Sequence, residues 1–90
     1  MLKILEELIS LVRERKKNSP DNSYTKKLLN DKNLSTNKVK EEISELIEAV
    51  EKNTNKIHEA ADVLYHLVVY LEANEVKIED VMEELNKRKK

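Results

Sequence analysis

Cysteine, glycine, tryptophan and phenylalanine are all missing from this chain, and Pro20 is its only proline. Without cysteine there are no disulfides and no thiolate metal sites, which fits a reducing compartment. The near absence of glycine and proline removes the usual punctuation of strands and hairpins, so the chain reads as all-α. Aromatics are limited to three tyrosines. Charge of one sign is also missing: 17 Lys and Arg against 18 Asp and Glu leave a formal net charge of −1. A chain with no basic excess gains little from displacing counterions, and general binding to nucleic acid or an anionic membrane is not expected. No apolar run approaches the roughly 20 residues of a membrane span. The start, MLKILEELISLVRERKK, has acids in its first turns and no small-residue cleavage site, so a soluble cytoplasmic protein is expected.

What is present is 39% hydrophobic and 39% charged residues in a chain of 90, enough for one small domain over residues 1–90. A chain this short buries only about 60–65% of its unfolded surface, so association is an expected source of stability. Apolar spacing predicts helices from about Leu2 to Lys17, over SYTKKLLN, from about Lys38 to Lys52, from about Lys56 to Ala73 and from about Ile78 to Lys89. NSPDNS, containing Pro20, is expected to turn after the first helix. DKNLSTN reads as a loop in which Ser35, Thr36 or Asn37 caps the next helix. The expected buried stripes are Leu5, Leu8, Ile9 and Val12; Val39, Ile43, Leu46, Ile47 and Val50; Ile57, Ala60, Ala61, Leu64, Leu67, Val68 and Leu71; and Ile78, Val81, Met82 and Leu85. The basic tail KRKK is expected to complement its helix dipole and stay solvated.

The most apolar stretch, HEAADVLYHLVVYL, carries Glu59, Asp62 and His66 on the side opposite Leu64. Acids on a helix that is apolar on most sides need partners, because an ionised carboxylate taken out of water without compensation costs several kcal/mol. The preceding helix adds more acid: in KEEISELIEAVE, Glu42 and Glu45 stand three apart beside the small Ala49. A short turn over residues 53–55 would bring Glu42 and Glu45 near Glu59 and Asp62. Four converging carboxylates repel, and a divalent cation resolves the conflict; hard oxygen donors favour magnesium or manganese. The same acids also suit a plain solvated helix face.

An EExxE segment followed by ExxD resembles the all-α MazG-like nucleoside-triphosphate pyrophosphohydrolases. SYTKKLL, KVKEEISELIEA and EAADVLYHLVVYL, in that order, with RERK before them and VMEELNKR after, are similar to the phosphoribosyl-ATP pyrophosphohydrolase family. The resemblance spans the chain and implies a helical bundle of four to five helices, an intertwined homodimer, magnesium (or manganese) as cofactor, and a nucleotide substrate. It carries Glu42, Glu45, Glu59 and Asp62 over as metal ligands and Glu41 as the remaining acid of the motif. Ser23, Tyr24 and Thr25 match the family's SYT, and Lys38 matches the lysine before its acidic pair. The chain departs from the family at Lys40, where a glycine is common, and in the loop after the SYT segment.

The implied reaction breaks the link between the α and β phosphates of phosphoribosyl-ATP, giving phosphoribosyl-AMP and pyrophosphate in histidine biosynthesis. Positioning and charge neutralisation would do most of the catalysis. Glu41 or Glu45 is the candidate base. Lys38 and the cluster Arg13, Arg15, Lys16 and Lys17 could hold outer phosphates, although that cluster equally suits a solvated helix end. His66 either orients Asp62 or packs, and Tyr65 and Tyr70 are expected to be core or dimer contacts. The alternatives are a house-cleaning enzyme acting on other nucleoside triphosphates and a non-catalytic helical interaction module.

Overall fold

A computed structural model describes residues 2–18 and 23–89. The described residues form five helices and no strand: α1 (Lys3–Asn18), α2 (Tyr24–Asn30), α3 (Lys32–Lys52), α4 (Lys56–Ala73) and α5 (Ile78–Arg88). The turn expected around Pro20 lies outside the described residues. Among them, no helix is long and apolar enough to cross a membrane.

α2 opens on Ser23, whose side chain accepts from the Lys26 N–H at 3.4 Å. α3 starts six residues earlier than the expected Lys38. Asp31 is its cap, its Oδ1 accepting from the Leu34 N–H at 3.0 Å, so KNLSTN is helix and none of Ser35, Thr36 or Asn37 caps it. Two contacts draw this segment into the helix: Leu34 packs against the core and Ser35 is almost fully buried. Thr36 returns its hydroxyl to the Lys32 carbonyl at 2.8 Å, which satisfies it inside the helix.

A chain without glycine must still stop its helices. Asn53 takes the left-handed conformation after α3, while Thr54 N–H reaches the Ala49 carbonyl at 2.9 Å. Glu75 does the same after α4, with Val76 N–H on the Leu71 carbonyl at 2.9 Å. Both are the paired-bond helix stop normally built on glycine. Asn55, also left-handed, completes the three-residue turn into α4.

The core lies where α1, α2 and the C-terminal half of α4 meet. Val12, Leu28 and Val69 are fully buried there, joined by Ile9, Leu29, Val68 and Ala73, with Leu5, Leu8, Leu34, Tyr65 and Ile78 packed around them. The stripe expected on α1 is borne out. That on α4 is not: of its members only Val68 is buried, while Ile57 is 88% and Leu64 50% exposed. On α3, Ile43, Ile47 and Val50 are likewise exposed, and Met82 and Leu85 are exposed on α5. Periodicity assigns residues to a shared face but does not say which neighbour covers it. The short α2 and α1 dock on the Val69 side of α4, the side that also carries the acids, and leave the larger apolar stripe outside.

α5 is tied on by charge more than by burial. Arg13 grips Glu79 through both terminal nitrogens, at 2.7 and 2.8 Å, and donates Nε to Glu72 at 3.1 Å. Glu79 and then Glu72 stabilise the charged guanidinium of Arg13, which in turn holds the Glu79 carboxyl down at about 2, well below its ordinary value. Lys16 donates to the Glu72 carbonyl at 2.9 Å, so two members of the basic cluster on α1 hold the end of α4. The basic tail is exposed over its described residues, Arg88 pairing with Glu84.

Asp31→Ala is expected to lower unfolding free energy by about 1 kcal/mol in urea titrations, the usual effect of losing a helix cap, whereas Asn37→Ala leaves the urea midpoint nearly unchanged.

Candidate metal and nucleotide site

α3 and α4 pair along most of their length through the turn at 53–55. The buried residues of α3 are Ser35, Glu42 and Ala49, spaced seven apart and therefore on one seam. A glutamate thus occupies the middle of a seam otherwise lined by small residues. Glu42 is 9% exposed. Its carboxylate and those of Glu45 and Glu59 lie within 4.8 Å of one another. Asp62 follows Glu59 by three residues on α4, so it stands on the same side one turn along.

The electrostatic cost of this arrangement is visible at Glu42. Burial first, and then neighbouring Glu45, Asp62 and Glu59, push its carboxyl up to about 7. Glu42 Oε2 and Glu59 Oε2 are both buried without a hydrogen-bond partner. Buried carboxylate oxygens with no donor are strongly disfavoured. A site with such oxygens and more acids beside it fits a hard divalent cation held by oxygen donors. A groove lined by Glu45, Glu48, Ala49, Lys52, Asn55 and Glu59 opens beside these acids.

The SYT segment sits across the acid-bearing side of α4. Tyr24 and His66 are joined through the Tyr24 hydroxyl and Nε2 at 3.1 Å. His66 Nδ1 lies 2.9 Å from the Asp62 carbonyl. A carbonyl only accepts, so Nδ1 carries the hydrogen, and in the neutral ring Nε2 accepts from Tyr24. His66 therefore bonds the backbone of Asp62 and not its carboxylate. Thr25 and Tyr65 share a short hydroxyl contact, and Tyr65 stands edge-on to His66 with centroids 4.9 Å apart. Ser23, Tyr24 and Thr25 thus spend their hydroxyls on capping α2 and anchoring it to α4.

The remaining candidates spread outward. Lys38 donates to Glu41 at 3.4 Å on the exposed side of α3. That carboxylate holds the Lys38 ammonium above its usual range. Burial raises the Tyr24 hydroxyl against the pull of nearby Lys38, which places the lysine beside the SYT segment. Glu41, exposed and paired with Lys38, is not among the carboxylates grouped with Glu42, Glu45 and Glu59. Arg15 is half-buried on the last turn of α1, whose neighbours Arg13 and Lys16 are engaged with α4 and α5. Sequence reasoning passed over His58, whose Nε2 lies 3.3 Å from Asp62 Oδ2. Its i, i+4 spacing from Asp62 was the available signal.

An acid whose folded pKa lies above its ordinary value favours the fold at low pH and opposes it as pH rises between the two. For Glu42 that window runs from 4.5 to about 7. In chelator-treated protein, Glu42→Gln is expected to melt increasingly above wild type as pH rises through this window. The gain should level off at higher pH; a constant difference across the series would contradict it.

Comparison with known proteins identifies the family. The phosphoribosyl-ATP pyrophosphohydrolase family matches the chain over residues 5–89. The phosphoribosyl-ATP pyrophosphatase of Clostridium novyi is 48% identical, with 97% of this chain and 82% of that protein covered. Its counterpart in Haloarcula marismortui is 37% identical over 96% of this chain and 93% of its own length. A histidine biosynthesis bifunctional protein of Pyrococcus furiosus is 40% identical over 99% of this chain and 43% of its own length. No solved structure matches. With a family match across nearly its whole length and relatives of similar size, the chain belongs to the phosphoribosyl-ATP pyrophosphohydrolase family.

Proposed function

We propose that this chain is a single-domain cytoplasmic enzyme that hydrolyses phosphoribosyl-ATP to phosphoribosyl-AMP and pyrophosphate in histidine biosynthesis, with magnesium held by Glu42, Glu45, Glu59 and Asp62. The family match and the names of the relatives support the reaction. The observation that carries the metal assignment is Glu42, buried on a helix seam with an unpartnered oxygen among other carboxylates. A triphosphate brings further negative charge to this acidic groove, which the chain's own lysines nearby are too few to offset.

Magnesium, when bound, would supply Lewis acidity and charge neutralisation at the phosphates. The residues of the chain divide the remaining work. Glu45, exposed next to Glu42 and Glu59, is better positioned than Glu41 to take a proton from the attacking water. Water oxygen joins the phosphorus on one side of the α–β bridge as its bond to the bridging oxygen breaks; the bridging oxygen leaves with the other phosphate group, and the water proton passes to Glu45. Lys38 can leave Glu41 for a phosphate at little cost, since an exposed ion pair is weak. His66, locked between Tyr24 and the Asp62 carbonyl, positions the backbone of α4 beneath the acids.

Homodimerisation completes this reading. The chain exposes 6927 Å², whereas a compact monomer of 10.6 kDa exposes roughly 5500 Å². Ile43, Ile47 and Val50 on α3 and Ile57, Leu64 and Leu67 on α4 form the uncovered apolar face of the hairpin. A second copy presenting the same face would bury it in a four-helix arrangement.

Asp62→Asn keeps size but removes a ligand charge; its turnover of phosphoribosyl-ATP should drop by orders of magnitude with helicity retained, and full activity would remove the acids from the site. Wild type should prefer phosphoribosyl-ATP to dATP, dCTP and dUTP, and the reverse preference would favour the house-cleaning alternative. Light scattering at micromolar concentration should give twice the chain mass, and Leu64→Glu should shift the protein toward monomer.

A further inference from the structure

Two groups of metal-capable side chains meet at Glu59. One is Glu42, Glu45 and Glu59; the other is His58, Glu59 and Asp62, and within each the ligand atoms lie within 4.8 Å of one another. The first group offers only oxygens. The second adds an imidazole, on a residue one helical turn before Asp62 and hence on the same face. The His58 side chain is 72% exposed and its Nε2 sits 3.3 Å from Asp62 Oδ2. An exposed i, i+4 pair of this kind contributes little to a fold, so structural support is a weak account of it. The chain has two histidines, and the other, His66, is buried with both ring nitrogens engaged by Tyr24 and the Asp62 carbonyl. His58 is therefore the histidine with a nitrogen directed at the acids. The ligand character of the cluster has independent support from Glu42, nine-tenths buried and with an unpartnered oxygen.

We propose that His58 is a nitrogen ligand to a divalent cation held with Glu59 and Asp62, and that it tilts the site toward manganese over magnesium. The inference rests on the carboxylate metal site proposed above. Magnesium demands hard oxygen donors and holds its waters tightly, whereas imidazole suits ions further along the first transition row. The ring reaches the position from the helix surface, where it is 72% exposed, by giving up its contact with Asp62.

The test uses the full chain with manganese(II) alone. Calorimetry measures manganese and magnesium dissociation constants for wild type and His58→Asn, and pulsed electron paramagnetic resonance looks for nitrogen-14 coupling to the bound ion. Wild type is expected to show imidazole coupling that the variant lacks. Manganese binding should weaken roughly tenfold or more in the variant, at least the effect of removing an outer partner of a ligand, with magnesium binding little changed. Manganese bound without nitrogen coupling, or with equal coupling in both proteins, overturns the role of His58 and leaves the carboxylate site standing. Failure of wild type to bind manganese at all overturns both.

Discussion

Mutual repulsion among carboxylates on the α3–α4 seam is the constraint on which the rest of this structure turns. Glu42 occupies a seam position that in an ordinary helical hairpin would hold an apolar side chain, and Glu45, Glu59 and Asp62 crowd toward it. Burial in that company favours the protonated form, which is why its carboxyl titrates near neutrality. The acids oppose close approach at the middle of the inner face, even though α3 and α4 form the most extensive helix pairing among the described residues. Further stability comes from elements outside the hairpin.

Three devices supply it. The Val12, Leu28 and Val69 core clamps the far half of α4. The hydroxyls of Tyr24 and Thr25 bind α2 to His66 and Tyr65, so a polar network sits between that core and the acids. Arg13 then fastens Glu72 and Glu79, fixing the start of α5 against the end of α4. The acids are thereby positioned by rigid helices instead of loops, which suits chemistry that depends on holding charged groups in fixed geometry. The outer face of the hairpin is apolar for the same reason the inner face is not: α4 has two faces to cover, and α1 and α2 cover only the one that adjoins the acids.

Local signals in the sequence were sufficient where the deciding interaction is local. The all-α class follows from the missing glycine and the single proline, and the limits of α4 and the start of α5 match the spacing of apolar residues. The pairing of Glu42 and Glu45 with Glu59 was legible because a three-residue turn leaves a helical hairpin little choice of register. The start of α3 was not, since Ser35, Thr36 and Asn37 look like cap residues until Leu34 and Ser35 find a core to enter. His58 escaped notice because its one distinguishing relation is to a side chain a turn away, the commonest spacing on any helix.

By itself, then, the sequence determined the helices, the hairpin and the meeting of the acids, each the outcome of contacts between residues near in the chain. Tertiary structure alone decided which side of α4 is buried. The Ile57, Leu64 and Leu67 stripe is the more apolar side by composition, yet Leu28 and Val12 arrive on the Val69 side, because Tyr24, Thr25 and their partners on α4 anchor α2 there. Periodicity carries no information about which of two apolar faces receives a neighbour forty residues distant; that choice belongs to the packing of α1 and α2.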